Sequence, residues 1–99
     1  MTRLTICIPT RNRQIYAMDA VRHMLASSRQ DFEILLGDNS DDASVLADFA
    51  AELKDSRLRL LSPESKPLSM RSNWERMPEQ ARGEWVSFIG DDDYLDPEL

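Results

Sequence analysis

Ninety-nine residues, 41% hydrophobic and 30% charged, suffice for a single core and are too apolar for a disordered chain. The formal net charge of −6, from 18 acidic against 12 basic residues, argues against a nucleic-acid binder. A nucleotide stays open, because a metal ion neutralises protein carboxylates and ligand phosphates together. No apolar run reaches membrane-spanning length, and a strand pattern starts directly after Met1-Thr2-Arg3, so the expectation is no signal peptide and a cytoplasmic location.

Leu4 to Ile8 is β-branched and apolar on both faces, which predicts a strand of a parallel sheet that stops at Pro9. Cys7, the single cysteine, lies in that run and is expected to be a core residue. After a polar loop, Ile15, Met18, Val21, Met24 and Leu25 keep helical spacing from Gln14 to about Ser28, with His23 on the polar side. Phe32 to Leu36 repeats the strand pattern and ends at Gly37-Asp38-Asn39-Ser40. Ser40 is expected to cap a helix running to about Lys54, with Leu46, Phe49, Ala50 and Leu53 as its buried stripe.

Arg57 to Leu61 alternates and predicts a short strand near an edge. The loop from Ser62 to Leu68 carries Pro63 and Pro67. Met70, Trp74, Met77 and Ala81 share a helical face that Pro78 must kink or split in two. Gly83 ends it, and Glu84 to Ile89 predicts a fourth, buried strand. Asp96-Pro97 reads as the start of a further helix, so a truncated domain is expected. Strands alternating with helices imply an α/β fold, a largely parallel sheet with helices on both faces.

In such a sheet the loops after the strands collect on one edge, where ligands bind. Pro9-Thr10-Arg11-Asn12, Asp38-Asn39-Ser40 and Asp91-Asp92-Asp93 are all expected there. Three adjacent carboxylates call for a positive partner, and a hard divalent cation with oxygen ligands is the usual one; a solvated acidic turn is the plain alternative. No dinucleotide fingerprint or P-loop occurs, and none of the three glycines lies in the first loop. Phosphate binding must then rest on metal and side chains rather than a backbone cradle.

The segment Ile6-Cys7-Ile8-Pro9-Thr10-Arg11-Asn12-Arg13 resembles the opening of the family 2 inverting glycosyltransferases of GT-A fold. Phe32 to Ser40 resembles that family's second strand and its Asp-containing turn. Ser72-Asn73-Trp74, then Ala81 to Val86, resembles the approach to the metal motif, and Gly90-Asp91-Asp92-Asp93 with Pro97 resembles its D-x-D region. The likeness spans essentially the whole chain.

The resemblance implies a nucleotide-diphosphate sugar donor, a UDP-sugar above all, held by Mn²⁺ or Mg²⁺ for transfer to an acceptor hydroxyl with inversion. It implies that Asp38 accepts from a ring N–H of the base while Pro9, Thr10 and Arg11 line the base and ribose pocket. Arg11 stands where an aromatic is common, and its planar guanidinium is expected to stack instead. Asp92 would hold the metal, with Asp93 supporting and Asp91 towards the ribose. Gly37 and Gly90 each replace a common Asp. Asn73 and Arg71 are candidates for the phosphates or for the helix surface.

The family's catalytic base lies in its second half, so no catalytic residue is assigned within residues 1–99 and negligible turnover is expected of this chain alone. A second reading is a non-catalytic α/β nucleotide-binding module, or one that self-associates through an exposed sheet edge into a homo-oligomer. A phospho-acceptor receiver domain also clusters Asp at strand ends, but needs acids after its first strand where this chain has Thr10-Arg11-Asn12.

Overall fold

A computed structural model describes residues 2–93. Four strands, β1 (Leu4–Thr10), β2 (Phe32–Asp38), β3 (Leu58–Leu61) and β4 (Trp85–Phe88), form one parallel sheet in the order β3-β2-β1-β4. The helices are α1 (Gln14–Leu25), α2 (Ser44–Leu53) and α3 (Met70–Glu75), followed by a 3₁₀ turn at Pro78–Gln80. No helix among the described residues is long and apolar enough to cross a membrane. The helix expected at Asp96-Pro97 lies outside them.

Alternation along the central strands divides the core in two. Ile6, Ile8, Ile34 and Leu36 face α1 and α2, meeting Ala17, Val21, Met24, Leu46 and Phe49. Cys7 and Leu35 face the other way, against Met77. Each fully buried aliphatic side chain contributes about 1.5–3 kcal/mol, which is why the inner strands are apolar on both faces. Burial, and then the charge of Glu33, push the Cys7 thiol up to about 11, the state of an inert core residue.

Several boundaries differ from the sequence-based expectations. β1 continues through Pro9 to Thr10, because the proline nitrogen lies on the β4 side, beyond Cys7, where pairing with β4 ends. No ladder hydrogen bond is lost there. α1 stops at Leu25 rather than Ser28, and its buried face is Ala17, Ala20, Val21 and Met24; Ile15 is 76% exposed. At ~100° per residue Ile15 points about 120° away from Val21, and the alanines carry the contact with the sheet.

Ser40 does not cap α2. It is buried before the helix, where its hydroxyl accepts the Asn12 N–H at 2.9 Å, and α2 starts at Ser44. β3 is the edge strand expected, and the third helix is split as expected, α3 being capped by the Ser69 side chain, which accepts from the Ser72 N–H. Its expected buried face is only partly so: Met77 is fully buried, while Met70 is 78% exposed. The fourth strand is a second edge rather than a buried strand, with Trp85 67% and Val86 44% exposed.

A closed polar knot ties the last segment to the sheet. Glu33, buried in β2, accepts from Thr5 Oγ1 and the Arg82 N–H at 2.7 Å and from Arg59 at 2.8 Å. Burial pushes the Glu33 carboxyl up, but these hydrogen bonds outweigh it and leave it below its ordinary value. Next to it the Gly83 N–H donates to Thr5 Oγ1 at 2.8 Å, and a Cβ on Gly83 would lie 2.6 Å from the Thr5 nitrogen. Only glycine permits that approach.

Candidate functional site

The loops after β1, β2 and β4 meet at the carboxyl edge of the sheet, and side chains join them. Asn12 takes a left-handed conformation, φ 55°, and its amide group exchanges two hydrogen bonds with Asp41, accepting at 2.9 Å and donating at 3.1 Å. Arg11 donates to the Asn39 carbonyl at 2.6 Å and pairs with Asp41 at 3.0 Å. Asn12 first, and then Arg11, hold the Asp41 carboxyl below its ordinary value. Arg11 is thus a brace between the first two loops.

Behind this brace lies Asp38, fully buried and in register with Thr10. Its Oδ1 accepts the Ser40 N–H at 2.9 Å, while Oδ2 is the single buried side-chain polar atom among the described residues without a hydrogen-bond partner. Such an atom costs about 1–3 kcal/mol, so its retention calls for an explanation. The surroundings are otherwise satisfied. Buried Asn73 donates to the Gly37 carbonyl at 3.1 Å and accepts from Arg76 at 2.8 Å; Arg76 also donates to the Asp38 carbonyl at 2.7 Å and the Ser62 carbonyl at 2.9 Å. Burial pulls the Arg76 guanidinium below its usual value, with Glu64 and Asp38 opposing. The Asn39 side chain pairs with the Leu68 backbone through two bonds of 2.8 Å and pins the proline-containing loop.

The acidic run is reached from β1. Thr10 Oγ1 donates to Asp91 Oδ2 at 2.9 Å, and Arg13 contacts Asp91 Oδ1 through Nε at 3.0 Å and Asp92 Oδ2 through Nη2 at 3.4 Å. The Asp93 N–H donates to the Gly90 carbonyl at 3.1 Å, closing a turn, and a Cβ on Gly90 would sit 3.3 Å from both the Asp92 and Asp93 carboxylates. A cleft of about 420 Å³ opens between these groups. Thr10, Arg11, Arg13, Asp91 and Asp92 line its polar side, and Pro9, Met70 and Trp74 its apolar side. Trp74 is stacked on Phe88, centroids 4.7 Å apart.

The family model for glycosyl transferase family 2 matches residues 5–99. The chain belongs to this family. The GalNAc(5)-diNAcBac-PP-undecaprenol beta-1,3-glucosyltransferase of Campylobacter jejuni is 29% identical over 96 residues, which are 96% of this chain and 31% of that protein. The chain therefore spans about a third of the length of the curated relatives it matches.

Among solved structures, S. aureus TarS 1–349 superposes with TM-score 0.80 at 22% identity, covering 98% of this chain and 29% of that one. The mannosyltransferase PcManGT from Pyrobaculum calidifontis, in complex with GDP-Man and Mn²⁺, gives TM-score 0.79 at 20% identity, covering 94% of this chain and 28% of that one. TarS 1–349 in complex with UDP-GlcNAc gives 0.71 at 22% identity, covering 98% of this chain and 28% of that one. At these identities the likeness establishes the GT-A architecture, a parallel sheet with helices on both faces.

Within this family 2 chain, five of the expected site residues, Pro9, Thr10, Arg11, Asp91 and Asp92, come together on the cleft wall. Asp38 sits beside Thr10 but inside the protein, and Asp93 is exposed in the turn after Gly90. Asn73 is buried and bonded to the Gly37 carbonyl yet also lines the cleft, and Arg71 lies on the helix surface paired with Glu75 at 2.8 Å. Asn39, expected at this edge, lines the cleft, whereas sequence reasoning misses Arg13 and Arg76. A cation near three adjacent carboxylates was the available signal for Arg13; arginines in loops and helices otherwise read as surface.

Proposed function

We propose that this chain binds the nucleotide-diphosphate sugar donor of an inverting glycosyltransferase through a divalent cation, Mn²⁺ or Mg²⁺. The observation that carries the reading is the convergence of Asp91 and Asp92 on a single cation, the Arg13 guanidinium, at the mouth of the cleft beside Thr10. Two carboxylates that share one positive charge are a fitting donor set for a hard metal ion. Among the described residues no group of three or more His, Cys, Asp or Glu is placed to hold a metal alone. That matches a Mg²⁺-type site, in which one or two carboxylates share the ion with substrate phosphates and water.

Asp92 is the leading ligand. Both oxygens of Asp91 are engaged, by Thr10 and Arg13, which supports leaving the metal to Asp92 and the ribose to Asp91. Asp93, one residue along, supports the charge. Pro9, Thr10 and Arg11 line the base and ribose end, and Asp38 Oδ2 is the acceptor left for a ring N–H, uracil in the first instance. Because Asp38 is fully buried, its cover must shift for a base to reach it. The bound ion would supply Lewis-acid assistance to the leaving diphosphate. The nucleotide sugars and Mn²⁺ of PcManGT and TarS support this donor class. The share of the relatives covered, 31%, supports assigning the acceptor site and the general base outside these residues.

Calorimetric titration with UDP, with and without Mn²⁺, tests the reading. Metal-dependent binding that Asp92→Ala abolishes, with thermal stability changed by no more than about 0.5 kcal/mol, is the expected result. UDP binding indifferent to Mn²⁺ and to Asp92→Ala would remove the donor site. A second reading, self-association by strand addition, is favoured by the exposed β4 edge with Trp85 and Val86; light scattering that finds a dimer lost on Val86→Lys would support it.

A further inference from the structure

Arg13 occupies an unusual place in this cleft. It precedes α1 as the N-terminal cap residue, yet its side chain makes no capping bond to the helix. It reaches across to the β4 loop instead, touching Asp91 at 3.0 Å and Asp92 at 3.4 Å, and lies over the Tyr16 ring at 4.7 Å. The two carboxylates differ in how firmly they are held. The Asp91 side chain is 13% exposed and has both oxygens engaged; that of Asp92 is 57% exposed and meets Arg13 only at the longer distance.

A metal ion on Asp92, beside Asp91, would share the charge of these carboxylates with Arg13. Guanidinium and dication repel, so each weakens the other's hold on the pair. With a diphosphate present the balance reverses, because its oxygens offer Arg13 a new anionic partner of matching fork geometry. The side chain is 47% exposed and its guanidinium lies over the exposed Tyr16 ring, so it can leave that contact and swing without disturbing the core.

Building on the donor-site reading, we propose that Arg13 is a place-holding cation. It neutralises Asp91 and Asp92 in the empty cleft, gives them up when metal and diphosphate arrive together, and then binds the diphosphate. The consequence is selection against metal alone: the ion gains the carboxylates only in company with the phosphates that draw Arg13 away. Arg13 opposes one ligand and favours the other. A residue that merely held the loop would support both.

The test is to compare wild type, Arg13→Gln and Arg13→Lys in two titrations, with circular dichroism and melting as fold controls. Mn²⁺ alone is followed by the loss of its free-ion electron paramagnetic resonance signal, and UDP by calorimetry at saturating Mn²⁺. Arg13→Gln should bind Mn²⁺ alone about two- to fivefold more tightly, the scale of a released exposed ion pair. It should bind UDP with Mn²⁺ at least about tenfold more weakly, the scale of a lost charge-assisted bond to phosphate. Arg13→Lys, which keeps the charge without the fork, should fall between the two on both axes.

The opposite signs are the signature. If wild type binds UDP with Mn²⁺ and Arg13→Gln weakens both ligands or changes neither, the Arg13 inference falls and the donor site stands. If folded wild type binds no UDP with Mn²⁺, the donor reading falls and takes the exchange with it.

Discussion

Two polar clusters built on the same pair of strands have opposite characters. Near the start of β1 and β2, Glu33 gathers Thr5, Arg59 and the Arg82 N–H, and each of its oxygens has a partner within 2.8 Å. At the other end of those strands, Asp38 has one oxygen satisfied and one without a partner, while Asp91 and Asp92 lean on a half-exposed arginine. Both places bury or crowd carboxylates, and acidity alone does not separate them. Spare acceptor capacity does. A knot whose valences are all filled within the chain is scaffold, whereas a cluster with open or exchangeable ones is where a ligand has something to gain.

The largest effect is expected at Glu33. Glu33→Ala strips three donors of their acceptor and leaves a buried Thr5 hydroxyl, the Arg82 N–H and one side of Arg59 unsatisfied. The loss should be about 3 kcal/mol, at the lower end for a broken buried ionic network because Arg59 keeps its bond to the Gln80 carbonyl. Urea unfolding measures it. A loss under about 1 kcal/mol would mean that the knot is no more structural than the cleft.

A smaller effect is expected where the two regions meet, at Gly37. A Cβ there would lie 2.7 Å from Met77 Sδ, and Met77 is fully buried against Cys7 and Leu35. Gly37→Asp, which brings in the residue common in the family, should therefore cost about 2 kcal/mol, by crowding Met77 and by burying a carboxylate. In Met77→Ala the same substitution should cost clearly less, with a coupling of at least about 0.5 kcal/mol in a double-mutant cycle. Additive losses would show that Met77 is not what excludes the side chain.

Much of this was legible in the sequence. The first two strands announce themselves because burial on both faces demands unbroken apolar runs, the third by its alternation as an edge strand, and a parallel sheet then places every strand-end loop on one edge. Thr10 and Asp91 could be brought together on that ground alone, without knowing their 2.9 Å hydrogen bond. The failures share a cause, which is that local pattern cannot see what lies across the fold. Ile15 was assigned to the core because it is apolar, although Ala17 and Ala20 supply the seat. Ser40 looks like a cap until the Asn12 N–H takes its hydroxyl. Trp85 and Val86 read as buried, but strand order puts them on an edge. Arg76 and Arg13 bridge segments far apart in the chain, and only the need of the acidic run for a cation points, indirectly, to Arg13.

The gentlest test changes a single atom pair at the open end. Asp38→Asn keeps the size of the side chain and an oxygen to accept the Ser40 N–H, but puts an amide NH₂ where Oδ2 now has no partner. If that oxygen is held in reserve for a donor on the base, the new group presents a donor to a donor. UDP affinity should fall about tenfold, some 1.4 kcal/mol, while affinity for pyrophosphate with Mn²⁺ stays unchanged. Stability should hold or rise slightly, since a neutral amide costs less to keep buried than a carboxylate. The contrast with Glu33 is then complete: there, loss of the carboxylate weakens the fold, and here it weakens only recognition. Should Asp38→Asn destabilise the protein and leave UDP binding untouched, Asp38 belongs with the scaffold, and the open valence of this cleft resides in Asp92 alone.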